Sequence, residues 1–199
     1  MPITADHIRT TLAEYADTHP EEKSALAVVH ELIDQGADVT SRNEFRGHAT
    51  AGAVVVNGEG QALFIRHVAL GKWLTPGGHL EPEDADLLGA ALRELIEETG
   101  ITLSVSPVHA IPVHIDVHPI PANESKGEPA HQHFDFRYLF FLEGDQEVTL
   151  QEEEVSGYAW RSVDTIADET LRARVLASLR RPCPGPVPGP ASGEAISGP

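Results

Sequence analysis

Basic residues are scarce in this chain. Lys and Arg number 14 against 31 Asp and Glu, for a formal net charge of −17. Sequence-independent binding to nucleic acid needs Lys and Arg to neutralise phosphates, so no nucleic-acid partner is expected. A single cysteine, Cys183, excludes an internal disulfide and makes a cytoplasmic setting the expectation. No apolar run approaches the length of a membrane span. The opening Met1-Pro2-Ile3-Thr4-Ala5-Asp6 lacks the basic start and apolar stretch of a secretory signal. No internal repeat is visible. Aromatic residues make up only 6%, yet the 41% hydrophobic content suffices for a core. A length of 199 residues suits one domain plus an appendage.

The pattern along the chain divides it in three. Residues 1–44 read as an N-terminal helical extension, with two helices between residue 4 and about residue 36. Thr18-His19-Pro20-Glu21 suggests a capping-box start with proline in the first turn. Leu26, Val29 and Ile33 then recur at helical spacing, and Gly36 ends the run. This hairpin either covers one face of the core or forms a homodimer contact, and covering the core is the simpler expectation. Residues 45–181 form the main domain, and residues 182–199, with Pro182, Pro184, Pro186, Pro188 and Pro190 among Gly and Ser, suggest an extended tail.

Within the main domain, Ala51–Val56 and Ala62–Ile65 are short apolar strands around the Asn57-Gly58-Glu59-Gly60 turn. A glycine loop at Gly77-Gly78 precedes a helix expected over about residues 85–99. A strand region is expected from Leu103 to about Val117, a loop or lid over 119–131, and a strand from His133 to Leu142. In that last strand Phe134, Phe136, Tyr138 and Phe140 point one way, and His133, Asp135 and Arg137 the other. Glu154–Trp160 reads as a further strand and Val163–Leu179 as a closing helix. Strands and helices in this order imply a mixed sheet between helices, an α/β sandwich.

The helix after the glycine loop carries the chemistry. At roughly 100° per residue, Glu94, Glu97 and Glu98 share one narrow sector with Arg93 at its edge, while Leu88, Ala91, Leu92, Leu95 and Ile96 fall opposite. An ordinary surface helix gains from opposite-charge neighbours, whereas three crowded carboxylates repel. A divalent cation removes that repulsion, and clustered carboxylate oxygens suit Mg²⁺ or Mn²⁺. Gly100 supplies the helix stop.

Arg93-Glu94-Leu95-Ile96-Glu97-Glu98-Thr99-Gly100-Ile101, preceded by Gly78, resembles the Nudix box. The family's order is Gly, five residues, Glu, seven residues, then Arg-Glu-apolar-x-Glu-Glu-x-Gly-apolar. Here Asp84 stands six residues after Gly78, where the family has Glu, and Arg93 follows it by nine positions instead of eight. Either Glu83 or Asp84 can take the role of that first acid. The resemblance covers roughly residues 47–180. It implies a Nudix-like α/β/α sandwich with a mixed β-sheet, here preceded by the N-terminal helical hairpin. It also implies a metal-dependent hydrolase that cleaves the diphosphate linkage of a small nucleoside diphosphate derivative, with Mg²⁺ or Mn²⁺ as cofactor. Nucleotide sugars, ADP-ribose-like compounds and nucleoside triphosphates are all open as substrates.

By this resemblance Glu94, Glu97 and Glu98 are the metal ligands, joined by a backbone carbonyl of Gly77 or Gly78. Glu98 is the in-box candidate for catalytic base, and Glu152, Glu153 and Glu154 are candidates from a later loop. Arg93 is expected to hold a neighbouring glutamate through a charge-assisted hydrogen bond. Arg66, Lys72, His133, Asp135 and Arg137 are candidate substrate contacts, and His114, Asp116, His118 and His131 add to an unusual polar strand face. That face either lines the substrate cleft or simply meets solvent; a closed zinc motif is not evident in the spacing. Trp160 reads as a core residue, and Trp73 either packs at the base of the loop or stacks on a nucleobase. The rival reading is a non-catalytic Nudix-fold module that senses a nucleotide. An isoprenoid diphosphate isomerase, which employs a catalytic cysteine, fits poorly because Cys183 lies in the proline-rich tail.

Overall fold

The computed structural model describes residues 2–102, 105–124, 127–144, 147–151 and 155–180. Glu152, Glu153, Glu154, Cys183 and the 182–199 tail lie outside them. Among the described residues the α-helices are α1 (Ala5–Thr18), α2 (Lys23–Asp34), α3 (Leu87–Thr99) and α4 (Glu169–Leu179). The strands are β1 (His48–Asn57), β2 (Gln61–His67), β3 (Lys72–Leu74), β4 (Gly77–His79), β5 (Val105–Pro107), β6 (His114–Ile120), β7 (His131–Leu142) and β8 (Val155–Ser162). They join one mixed sheet in the order β3-β2-β1-β7-β5, with β4 also on β1, β6 on β7 and β8 on β2. The α/β sandwich expected from the pattern is present. No helix among the described residues is long and apolar enough to cross a membrane.

The parallel pair β1–β7 is the spine, running from His48 opposite His133 to Asn57 opposite Leu142. Because side chains alternate across a strand, Ala49, Ala51, Ala53 and Val55 share one face with Phe134, Phe136, Tyr138 and Phe140. Helix α3 packs against β1 there, and the three alanines leave room for Leu87, Ala90, Ala91 and Leu95. The same buried cluster takes in Ile8, Leu12 and Tyr15 of α1 and Leu26 and Val29 of α2. The N-terminal hairpin thus covers the core.

Polar bonds reinforce this docking. Arg174 of α4 donates to Tyr15 Oη, to Glu22 Oε1 at 2.6 Å and to the Val113 carbonyl at 3.4 Å. Tyr15 Oη donates to Glu22 Oε2 at 2.5 Å and accepts from Ile115 N–H at 3.2 Å. On the opposite face of the sheet a smaller cluster of Val54, Val56, Ala62, Phe64 and Leu139 packs under Leu171 and Val175 of α4.

Several local expectations are corrected. Within the strand region expected from Leu103 to Val117, of which Leu103 and Ser104 lie outside the described residues, there are two strands, β5 and β6. Pro107 ends the first and Pro112 offers no N–H to a ladder, although Val108 N–H and Val113 N–H each return to β7 carbonyls at 2.8 Å. Strand β6 continues to Ile120, which shortens the loop before β7. Thr18 does not cap α2. Its hydroxyl donates back to the Tyr15 carbonyl at 2.8 Å, and Pro20–Glu22 form a 3₁₀ turn before Lys23. Helix α3 starts at Leu87 because Asp86 Oδ1 accepts from Gly89 N–H at 2.7 Å. The closing helix is split: a 3₁₀ turn at Val163–Thr165, extended backbone at Ile166, then α4 capped by Asp168.

Candidate active site

The glycine segment expected as a loop is strand β4, paired antiparallel to β1 through Thr50–His79, Ala51–Gly78 and Gly52–Gly77. Its position puts the glycines directly beneath the acidic face of α3. Gly77 N–H donates to Glu98 Oε2 at 3.0 Å. A Cβ built on Gly78 would fall 2.6 Å from Glu94 Oε1, and one on Gly77 would fall 2.8 Å from the Ala51 carbonyl oxygen. Only glycine therefore lets the strand approach this closely. Helix α3 ends at Gly100, whose φ of 67° is the left-handed cap expected from the sequence.

Arg93 organises the rest. Its guanidinium grips Asp84 with Nε–Oδ1 at 2.9 Å and Nη2–Oδ2 at 3.0 Å. It also donates to Glu94 at 3.0 Å, to Glu97 at 2.9 Å and to the His79 carbonyl at 2.9 Å. Of the two candidates for the first acid, Asp84 is the one that meets Arg93 and is 6% exposed, whereas Glu83 faces solvent. Burial pushes the Asp84 carboxyl up, but the hydrogen bonds from Arg93 and from Glu81 N–H outweigh it and leave its pKa below the usual value. Asp84, with the other acids, likewise raises the Arg93 pKa, so the charge is fixed. Asp84 itself ends the 81–84 turn, its N–H donating to the Glu81 carbonyl at 3.1 Å. Glu98 is 3% exposed on the buried side of the helix, while Glu97 faces solvent.

The polar face of the sheet assembles around this edge. Strand β6 runs antiparallel to β7 with His114 opposite Arg137, Asp116 opposite Asp135 and His118 opposite His133. Arg137 is committed within that face: it donates to Asp116 at 3.0 Å, Asp135 at 3.1 Å and Asp168 at 3.3 Å. Thr50 Oγ1 donates to Asp135. His118, whose Nδ1 lies 3.2 Å from Asp116 Oδ2, and Arg137 hold the Asp116 carboxyl down to about 2 despite its partial burial. Asp116 in turn raises His118. Burial pushes His48, His114 and His133 below the usual histidine range and His79 down to about 4.

The candidate substrate contacts therefore separate. His133, Asp135 and Arg137 stand together on the polar face. Arg66 and Lys72 are exposed on the β2–β3 hairpin, respectively two and three strands from β7 in the sheet order. Beside them Trp73 carries the Arg161 guanidinium 4.1 Å above its ring. Two histidines went unnoticed in the sequence, His48 and His79. Neither sits in an alternating run; only the β1–β7 register and the β4 pairing bring them to His133.

A carboxylate-bearing helix locked over a glycine strand, on a mixed sheet between helices, defines a class: hydrolases of diphosphate linkages that work with divalent cations. The NUDIX domain family profile matches residues 46–180. A probable DHNTP pyrophosphohydrolase of Lactococcus lactis subsp. cremoris (strain MG1363) is 36% identical over 138 residues, 66% of this chain and 76% of that protein. The phosphatase NudJ of Shigella boydii serotype 4 (strain Sb227) is 35% identical over 138 residues, 67% of this chain and 78% of that one. Among solved structures, a binary complex of a C. elegans Ap4A hydrolase superposes with a TM-score of 0.51 at 22% identity, over 66% of this chain and 96% of that chain. The chain belongs to the NUDIX family. It is an enzyme acting on pyrophosphate bonds, and the family generally uses divalent metal ions.

Proposed function

We propose that the protein hydrolyses the diphosphate linkage of a small nucleoside diphosphate derivative or nucleoside triphosphate, with Mg²⁺ or Mn²⁺ as cofactor. The observation that carries this reading is the closeness of α3 to β4, where Glu94 abuts Gly78 and Glu98 accepts from Gly77. A surface helix with no work to do would not press two carboxylates against backbone. The donor set fits a hard cation: the carboxylates of Glu94, Glu97 and Glu98 with the Gly78 or Gly77 carbonyl would hold it. When bound, such a cation offsets the charge of the phosphates and lowers the pKa of the attacking water.

The remaining roles belong to the chain. Glu98 is the candidate base, positioned by the Gly77 N–H. Arg93 fixes Glu94 and Glu97 in orientation and is itself anchored by Asp84, so it acts as a positioning residue. Arg66 and Lys72 face solvent with their charge available to the distal phosphate or its substituent. His133, Asp135 and Arg137 shape the polar wall, and Arg137 acts mainly by holding Asp135 and Asp116 in place.

The test is a substrate panel. Purified protein with Mg²⁺, and separately Mn²⁺, would meet nucleotide sugars, dinucleotides, nucleoside triphosphates and ADP-ribose, with products read by mass spectrometry. Cation-dependent cleavage of one class is expected, and Glu98→Gln should lower turnover by at least about 100-fold with an unchanged circular dichroism spectrum. Silence across the panel, with nucleotide binding retained, would replace the enzyme with a nucleotide-sensing module.

A further inference from the structure

The wall beside the carboxylates holds a cluster of histidines whose ring nitrogens have no part in the cation chemistry of α3. His48 of β1, His79 of β4 and His133 of β7 come from three strands, and one ring nitrogen from each lies within 4.8 Å of the other two. Their ring centroids are 5.2 Å (His48–His79), 4.7 Å (His48–His133) and 5.4 Å (His79–His133) apart. Three imidazoles on one tetrahedral Zn²⁺, with Zn–N bonds of about 2.0–2.1 Å, hold their centroids roughly 5 Å apart.

The hydrogen bonds around the cluster fix which nitrogens are available. His48 Nδ1 lies 3.1 Å from the Glu44 carbonyl. A carbonyl only accepts, so Nδ1 carries the proton and Nε2 carries the lone pair. His48 is 1% exposed, and that Nε2 is buried without a hydrogen-bond partner among the described residues. Burying an unpaired acceptor is costly, and a cation is what would satisfy it. A ring nitrogen held by a carbonyl while the other faces a shared centre is the usual second-layer arrangement of metal-binding histidines.

His131 supports the same centre from one side. Its Nδ1 donates to the Pro129 carbonyl at 2.8 Å, so its Nε2 accepts from His133 Nε2–H at 3.1 Å, which leaves the lone pair of His133 on Nδ1. Arg42, the cation felt by His48 and His79, is paired with Glu128 at 3.5 Å and brings little net charge.

We propose that His48, His79 and His133 form a binding site for a divalent transition-metal ion, Zn²⁺ foremost, separate in donor type from the carboxylates of α3. Imidazole nitrogens favour Zn²⁺, Ni²⁺ or Cu²⁺, and carboxylate oxygens favour Mg²⁺ or Mn²⁺. The two centres sort cations by chemistry while standing side by side, since His79 follows Gly78 and its carbonyl accepts from Arg93. Three protein ligands leave a fourth position for water or for an anionic group of the substrate.

Cobalt(II) reports on such a site because tetrahedral nitrogen coordination absorbs visible light far more strongly than octahedral oxygen coordination. Full-length protein stripped with EDTA would be titrated with Co²⁺ alone. The expected result is an intense visible band saturating at one equivalent and abolished by stoichiometric Zn²⁺. His79→Gln and His133→Gln should each weaken Co²⁺ binding by at least about 100-fold, whereas Glu98→Gln and His118→Gln should keep the band. Circular dichroism of each variant, and the partly exposed His79 as the mildest substitution, separate ligand loss from unfolding. A folded wild type without the band would overturn the proposal. So would a band that survives the His79→Gln/His133→Gln double variant, or one that disappears in Glu98→Gln or in His118→Gln.

Discussion

The two faces of the β1–β7 pair differ more than any other two regions of this molecule. One face is apolar along its whole length, with Phe134, Phe136, Tyr138 and Phe140 buried beneath α1, α2 and α3. The other is apolar only at the end covered by α4, where Val54, Val56 and Leu139 lie. Its open end carries His48, Thr50, His133, Asp135 and Arg137. Alternate residues of one strand thus serve the core and the site, and the site inherits its rigidity from the core behind it. Burial without partners stabilises the first face, while hydrogen bonds and ion pairs must offset desolvation on the second.

Substitutions on neighbouring residues of β7 separate the two contributions. Phe136→Ala should cost about 3–5 kcal/mol in urea denaturation, with a loss nearly independent of pH because no titrating group is removed. A loss under about 1 kcal/mol would mean that the apolar face is not the main source of stability.

Arg137→Met strands Asp116, Asp135 and Asp168 without their shared guanidinium. Since these groups are a fifth to a third exposed, the expected cost is about 1–3 kcal/mol near neutral pH, below that of a fully buried pair. This loss should depend on pH. The Asp116 carboxyl titrates at about 2 in the folded protein against a reference of 3.8. The stability it contributes is complete above pH 3.8 and lost as pH falls through about 2. The gap between Arg137→Met and wild type should therefore narrow across that window, and a constant gap would contradict the ion-pair account.

The smallest effect on stability is expected where the two faces meet, at β4. Gly78→Ala forces the Glu94 carboxylate aside, a flexible group that can move, so the stability change should be about 1 kcal/mol or less. Turnover on the identified substrate should nonetheless fall roughly 10- to 100-fold, because small displacements of positioned groups are costly in rate. Unchanged turnover would detach Glu94 from the reaction.

Strand β7 was legible in advance because polar and apolar residues alternate strictly from His133 to Tyr138, and the acidic helix because three glutamates on one sector have no ordinary structural purpose. Proline explains where reading failed. Pro107 and Pro112 break what looks like one long strand, and Pro20 initiates a 3₁₀ turn instead of the expected helix. At the first acidic position, sequence left Glu83 and Asp84 equal. Only the fold distinguished them, by turning Asp84 inward to meet both nitrogens of the Arg93 fork. Arg137 shows the reverse: as a sequence feature it is a cation for phosphate, and in the fold three aspartates claim it.

What the sequence alone determined is local: the spacing of glutamates on a helix, the alternation along β7 and the glycines that permit close approach all act within a few turns or strands of themselves. What only the tertiary structure decided is the company each polar side chain keeps. The histidine centre is the clearest case, since His48, His79 and His133 are 31 and 54 residues apart along the chain. They meet because β1 pairs parallel with β7 and antiparallel with β4. A local pattern cannot encode such a meeting, because strand pairing is set by burial of the apolar face, which carries the polar residues with it.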